Sequence, residues 1–458
     1  MTQDRKATAS SGKSLIPFLI FIAILLGSGI YFAAKGVDRP FYQVPASVAL
    51  LLAVIVAFIM YKGSFEQKAD SFIKGCSNEN IAIMYMTCFL AGAFADVAKA
   101  SGGVDSVVNL GLSVIPAQYI TVGMFLIACF MSLATGSSSG TTAALGTIAY
   151  SIGTRAGLNM PMLLAAVLGG AFFGDNLSII SDTTIVATRT QGVEMKDKFR
   201  MNLIIALPAA AITALLYFLM GTPETVVEVD KGAFDIVLIL PYLYVLVASI
   251  AGMNVFAVLG SGAVIAGAVG MIRGTIDFVG FAQAVYSGFL GMTEIIVLAI
   301  FIGGLSHMMA EQGGLNWLME KIRRIMKDRK STEVGIAVMV SAADAAVANN
   351  TAALIVTADI VKEVSHENKV DPRRAASLMD IFCCVMQGFL PYGNQILLIG
   401  GLALGTVAPL EIIPFMWYNV LLGAFAILSI FVPFADGVIR KKPWNWETGA
   451  SEEPKATA

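Results

Sequence analysis

Charge is scarce in this chain. Asp, Glu, Lys and Arg make up 14% of its 458 residues, against about 25% in soluble proteins. The two signs nearly cancel, at a formal net charge of −2, which leaves no case for nucleic acid as a partner. Histidine is scarcer still: there are two, and only His307 lies in an apolar run. A metalloprotease would want HExxH, which is absent, and an intramembrane serine hydrolase would want a partnered histidine. The chain is therefore expected to be no enzyme and to carry no cofactor. The five cysteines (Cys76, Cys88, Cys129, Cys383, Cys384) are odd in number, and four lie in apolar runs. They fit neither a disulfide framework nor a zinc spacing. Cys383-Cys384 reads as core filler, in keeping with the burial habit of free cysteine, with a redox pair as the alternative. No cleavable signal is evident, because the first apolar run, 15–34, is long enough to span a bilayer.

Apolar residues are what the chain has in excess. They amount to 57%, with a mean hydropathy of +0.77, and the class is an all-α polytopic membrane protein whose partner is the lipid bilayer. Apolar runs fall at 15–34, 42–61, 81–98, 115–134, 136–152, 161–187, 200–220, 234–251, 254–272, 281–311, 334–365, 375–406 and 409–435. At about 20 residues per crossing they suggest about 11–13 membrane segments. Residues 1–14 form a polar, basic tail, and the tail from Arg440 carries Trp444 and Trp446, suited to the membrane interface. Positive-inside bias puts 62–74, 189–200, 321–330 and 440–442 in the cytoplasm and the acidic loop Pro223 to Asp230 outside. Those placements require an even number of crossings between 134 and 188. Either one segment there dips and returns, or the 189–200 loop is not cytoplasmic.

The stretch 169–192, GGAFFGDNLSIISDTTIVATRTQG, is where the membrane pattern fails. An apolar run leads into Phe-Phe-Gly-Asp-Asn, where the helix is expected to break, and Ser181-Asp182-Thr183-Thr184 follows six residues on. Hydrocarbon supplies no water for an opened backbone, so such a break survives only inside protein or along a cavity. An intramembrane carboxylate is a functional-site hypothesis. Discontinuous helices whose carbonyls and side-chain oxygens bind a small cation mark secondary transporters.

The chain also resembles itself. FLAGAFADVAKASGG (89–103) matches FIGGLSHMMAEQGG (301–314), Thr142-Ala143-Ala144-Leu145 matches Thr351-Ala352-Ala353-Leu354, and Pro161 matches Pro372. Gly174-Asp175-Asn176 lies near the register of Gly393-Asn394-Gln395. The expected organisation is two inverted repeats with re-entrant hairpins and broken helices. A tail at 1–14 and scaffold helices at 15–80 precede the first repeat, 81–220, with a hairpin near 136–152 and a broken helix near 161–187. Connecting helices at 221–290 lead to the second repeat, 291–435, with a hairpin near 348–365 and a broken helix near 375–406. A tail at 436–458 closes the chain.

Each repeat has two polar clusters. Ser138, Ser139 and Thr141 in the first, and Asn349, Asn350 and Thr351 in the second, suit hairpin tips where hydroxyls, amide oxygens and free carbonyls replace water around a hard cation. Asp175 is the expected proton or sodium carrier: burial penalises a bare carboxylate and a bound Na⁺ relieves it, so one site can hold either ion. Its alternative is a cap that only ends a half-helix. Asp182 is a second carboxylate of the same site or a partner of Arg189. Thr183 and Thr184 are ligands or packing hydroxyls. Asp344 stands alone among small residues, which explains close packing but not the aspartate. Asn176, Gly393 and Asn394 complete the candidate set, with Na⁺ assigned to Asp175, Asn176, Asn350 and Thr351. Asp380 and Gln387, two turns apart, are expected to face the cavity. Arg155 and Arg189 flank apolar runs and mark interfaces or bind a carboxylate. His307 is a core histidine or a pH sensor.

On the 169–192 stretch, and more loosely along nearly its whole length, the chain resembles the NhaC family of sodium/proton antiporters. The resemblance implies the ion-transporter superfamily, with two inverted repeats, two re-entrant hairpins and a homodimeric scaffold in a bacterial cell membrane. That superfamily's Ser-Asn-Thr tip motif falls on Ser139-Gly140-Thr141, which lacks the asparagine, and on Asn349-Asn350-Thr351, which has asparagine for serine. NhaC relatives also include malate/lactate exchangers and amino-acid carriers. The expected function is exchange of Na⁺ for H⁺ by alternating access. The alternative is a Na⁺- or H⁺-coupled carrier of a small organic solute, a dicarboxylate, lactate or an amino acid. A channel is disfavoured because channels are usually built with symmetry about an open pore.

Overall fold

A computed structural model describes residues 11–37, 43–114, 116–178, 181–222, 234–251, 253–446 and 450–451. The acidic loop Pro223 to Asp230 and most of both tails lie outside these residues. Among the described residues helices dominate, and the one strand pairing is a two-residue ladder between Trp444–Asn445 and Ala450–Ser451. The chain opens with α1 (Ile16–Ala34), α2 (Ala46–Met60), α3 (Phe65–Cys76), α4 (Glu79–Ala100) and α5 (Gly103–Val114). Next come α6 (Ile120–Thr135), α7 (Ser138–Ala156), α8 (Met160–Leu177), α9 (Asp182–Gln191) and α10 (Met195–Met220). The middle holds α11 (Ile236–Ile250), α12 (Val255–Arg273) and α13 (Phe278–Gly291). Then follow α14 (Thr293–Glu311), α15 (Gly314–Arg323), α16 (Arg329–Val347), α17 (Asn350–Glu367), α18 (Pro372–Gln387) and α19 (Asn394–Leu402). The chain closes with α20 (Pro409–Ile412), α21 (Trp417–Phe431) and α22 (Gly437–Lys441).

Seven spans among the described residues are long and apolar enough to cross a membrane, fewer than the 11–13 segments the runs suggest. The shortfall lies in six runs: those at 42–61 and 234–251 form shorter apolar helices, that at 409–435 is bent, and those at 136–152, 334–365 and 375–406 fold into α7, α16, α17, α18 and α19, which are too short or too polar to count as spans. Within Met160–Gln191 the most apolar 18-residue window is 94% buried, against 28% to 56% for the windows of the other six. The apolar core therefore wraps around α8.

The order of elements recurs. Gly136, in the left-handed region at φ 67°, ends α6, and Ala348, at φ 53°, ends α16. The next residues cap the following helices: Ser137 accepts from Gly140 N at 3.0 Å, and Asn349 from Ala352 N at 2.8 Å. Both α8 and α18 begin with a capping side chain, Asn159 or Asp371, and a proline. Each is then followed, after a break, by a short helix, α9 or α19. Ser137 and Asn349 are 212 positions apart, as are Asp182 and Asn394, the first residues of α9 and α19. The expected pairing of Gly174-Asp175-Asn176 with Gly393-Asn394-Gln395 is therefore displaced: in element order it is Asp182 that corresponds to Asn394. Residues 138–156 form one helix, so the segment near 136–152 is one arm of a turn centred on 136–137.

The indole of Trp444 lies 6.0 Å from Arg373 Cζ, and Trp446 meets His366 edge-on at 5.7 Å. Both tryptophans thus pack on the protein's own side chains, a guanidinium and an imidazole.

Candidate cation site at the broken helices

Helices α6 and α8 run side by side in the same direction. Phe125 faces Gly169 and Gly170, Ser132 faces Gly174, and Ser132 Oγ donates to the Ala171 carbonyl at 2.5 Å. The spacing Gly170-x-x-x-Gly174 permits this, since a side chain at either glycine would collide with α6 backbone. α7 returns antiparallel, with Gly153 against Leu163. The turn at 136–137 and the end of α8 consequently lie together, and Ser138 meets Asp175 there.

The break falls later than the sequence suggests. Asp175 and Asn176 are in the last turn of α8; the chain leaves the helix at Ser178 (ψ 137°) and re-enters at Asp182. A helix tolerates polar side chains in its last turn when protein surrounds it, so Gly-Asp-Asn does not itself break α8. Asp175 consequently is not a cap.

Asp175 is 2% exposed. Its Oδ2 accepts from Ser138 Oγ at 2.7 Å and its Oδ1 from Ser181 Oγ at 2.5 Å. Ser181 Oγ also lies 2.9 Å from Thr183 Oγ1. Gln395 Nε2 of α19 donates to Ser138 Oγ at 3.0 Å. The Asp175 carboxylate of α8 and three hydroxyls drawn from α7, the α8–α9 break and α9 thus form a buried cluster of oxygens.

Around it, each half-helix start touches the opposite turn. Asn394 Nδ2 donates to Ser139 Oγ at 3.1 Å, and Thr351 Oγ1 donates to Asp182 Oδ2 at 2.7 Å. Ser139 and Thr351 are 212 positions apart, as are Asp182 and Asn394, so these two bonds are counterparts in the repeated element order. Asp182 bonds Thr351 in place of the alternative partner Arg189.

A second cluster adjoins the first on the other side of α8. Asn176 Nδ2 donates to Asp380 Oδ2 at 3.0 Å, and so does Asn202 Nδ2 at 3.1 Å. The ammonium of Lys198 lies 2.5 Å from the same oxygen. Ser377 Oγ donates to Asn202 Oδ1 at 2.5 Å. Lys198 sits in the first turn of α10, with its side chain fully buried; the positive-inside reading had placed it in a cytoplasmic loop at 189–200.

The structure thus brings Ser138, Asp175 and Thr183 together, with Ser139 and Asn394 adjoining. It divides the four residues assigned to Na⁺: Asn176 turns to Asp380, Thr351 to Asp182, and Asn350 Oδ1 accepts from Thr351 N at 3.0 Å. Asn349 is used as a helix cap. Gly393 is the residue before α19, with its N–H on the Leu390 carbonyl at 2.8 Å. Thr141 is buried, and its hydroxyl has no hydrogen-bond partner. Asp344, fully buried, faces Gln387, whose amide nitrogen, turned toward it, is 3.0 Å from both carboxylate oxygens. Arg155 pairs with Asp105 and accordingly lies away from the site. Sequence reasoning named Ser181 and Gln395 within polar stretches without assigning them to the site, and it missed Lys198 and Asn202. For Lys198 and Asn202 a signal existed, since i and i+4 positions share one face of a helix.

Residues 7–222 match the Na⁺/H⁺ antiporter family. The malate-2H⁺/Na⁺-lactate antiporter of Bacillus subtilis is 23% identical over 447 residues, 90% of this chain and 94% of that one. The Na⁺/H⁺ antiporter NhaC of Alkalihalophilus pseudofirmus is 29% identical over 221 residues, 48% of this chain and 46% of that one. Among solved structures, the YdaH transporter of Alcanivorax borkumensis covers 93% of this chain and 99% of its own at 13% identity, with a TM-score of 0.41. The NhaC resemblance is borne out over residues 7–222 of this multi-pass membrane protein, which match the Na⁺/H⁺ antiporter family.

Proposed function

We propose that the protein is a secondary transporter of the bacterial cell membrane that exchanges Na⁺ for H⁺ at Asp175. The observation that carries this reading is the charge of the interior. Asp175, Asp344 and Asp380 are buried beside the broken helices, the exposed Asp182 adjoins them, and the basic side chain buried among them, Lys198, has its ammonium bound to Asp380, the Asn176 carbonyl and Thr184. Such a site attracts cations. A buried bare carboxylate is costly, so Asp175 holds either a proton or a cation. With Na⁺ present, Ser138, Ser181 and Thr183 turn their oxygens to the ion; with a proton present, the same hydroxyls bond the carboxyl group. Occupancy by one ion excludes the other, and movement of the two repeats alternately opens the site to either side.

A second reading is exchange with a small organic solute. The malate/lactate relative favours it, because that likeness extends over 90% of this chain. The two separate in proteoliposomes holding a pH-sensitive dye and an imposed proton gradient. Na⁺ alone should alkalinise the lumen with the wild type and fail to do so with Asp175→Asn. No response to Na⁺ alone, with a response once malate or lactate is added, would transfer support to the organic-solute carrier.

A further inference from the structure

The ammonium group of Lys198 is bound entirely by oxygen. Its partners are Asp380 Oδ2 at 2.5 Å, the Asn176 carbonyl at 2.5 Å and Thr184 Oγ1 at 2.6 Å. They come from α18, α8 and α9. A carboxylate, a backbone carbonyl and a hydroxyl are the ligand types that hard cations take, and one carboxylate balances one positive charge. The carbonyl is available because Asn176 is among the last four residues of α8, whose carbonyls have no partner within the helix. A further oxygen, Asp380 Oδ1, is fully buried and has no hydrogen-bond partner. Asn202 closes the cluster, its Nδ2 at 3.4 Å from the Asn176 carbonyl.

We propose that this cluster is a second monovalent-cation position, filled in the native protein by the tethered ammonium of Lys198. The lysine delivers its own cation where a free ion would otherwise bind. It neutralises Asp380 and clamps the end of α8 to the start of α9 across the break. A mobile cation entering the protein is thereby left to Asp175. This position stands on its own contacts and does not depend on the exchange reaction proposed above.

The test is to vacate the position. Purified Lys198→Ala is compared with the wild type for bound ²²Na⁺ per chain, and its thermal unfolding is followed in sodium-free and sodium-rich buffer. Lys198→Ala is expected to bind one more Na⁺ per chain than the wild type and to gain more thermal stability from Na⁺. Adding Asp380→Asn should abolish the extra ion. Asp175→Asn should leave it in place, so a wild type that binds no Na⁺ at all, which would defeat the exchange reading, still allows the gain of one ion to be seen. The proposal is overturned if Lys198→Ala binds no additional ion, if it stays unfolded at every Na⁺ concentration, or if the extra ion survives Asp380→Asn.

Discussion

Replacing Gly170 by alanine tests the close packing that places Asp175. A Cβ at Gly170 falls 2.6 Å from Ala128 Cβ and 2.8 Å from Cys129 N, where ordinary contact begins near 3.4 Å. The Phe125 carbonyl oxygen is nearer still, and it and Cys129 N are backbone, so no side chain can swing aside and α6 and α8 must part by roughly 1 Å. That movement pulls on the Ser132–Ala171 hydrogen bond and carries Ser138 away from Asp175. Overpacking of this kind costs about 1–3 kcal/mol. The proper reference is Gly260→Ala in α12, where the new methyl meets one atom, at 3.8 Å. Both substitutions bring the same gain in helix propensity, roughly 1 kcal/mol, so the difference between them isolates the packing cost. Unfolding of both variants in the same detergent should put Gly170→Ala below Gly260→Ala by about 1–3 kcal/mol, with a matching loss of Na⁺ affinity only in the former. Equal stabilities would refute the argument that α6 and α8 are held backbone to backbone.

Three further outcomes are expected. Ala348, between α16 and α17, occupies the left-handed region that Gly136 occupies between α6 and α7; Ala348→Gly should stabilise by about 1 kcal/mol and Gly136→Ala should destabilise by about as much, read from paired melting curves. Lys198→Met leaves Asp380 buried without its cation in sodium-free buffer and should cost about 3–5 kcal/mol, while Lys198→Met combined with Asp380→Asn should cost less than either change alone, which a double-mutant cycle will show. At the start of α16 the backbone N–H of Ser331 holds the exposed Asp328 carboxyl below the usual carboxylate range. Its stabilising contribution is thus present above the unfolded value of about 3.9 and fades as pH falls through the lower folded value; melting curves across that acid range should lose part of their pH dependence in Asp328→Ala.

The class of the protein, the central place of 169–192 and the recurrence of two polar clusters were all legible in the sequence, because hydropathy and glycine spacing are properties of the chain itself. The position of the break was not. Asp175 and Asn176 look like helix breakers when read against lipid, but α8 is enclosed by α6, α7 and α18, and in that setting polar side chains end a helix without breaking it. Lys198 was hidden for a related reason: charge-bias reasoning assigns a lysine near an apolar run to a loop, and nothing local discloses an aspartate 182 positions later that neutralises it. The repeat register slipped at Gly393-Asn394-Gln395 because shared residue types outweighed element order, and only the helix boundaries showed that Asn394 corresponds to Asp182. Gln395 and Ser181 entered the site through contacts between elements that no sequence period encodes.

The central claim is that Na⁺ and H⁺ compete for Asp175. Equilibrium binding of ²²Na⁺ to the purified protein across a pH series tests it directly. Competition at one carboxylate predicts an apparent dissociation constant that rises about tenfold per unit fall in pH once the proton dominates, and no such pH-linked binding in Asp175→Asn. Sodium affinity that is flat with pH, or that survives unchanged in Asp175→Asn, would contradict the account.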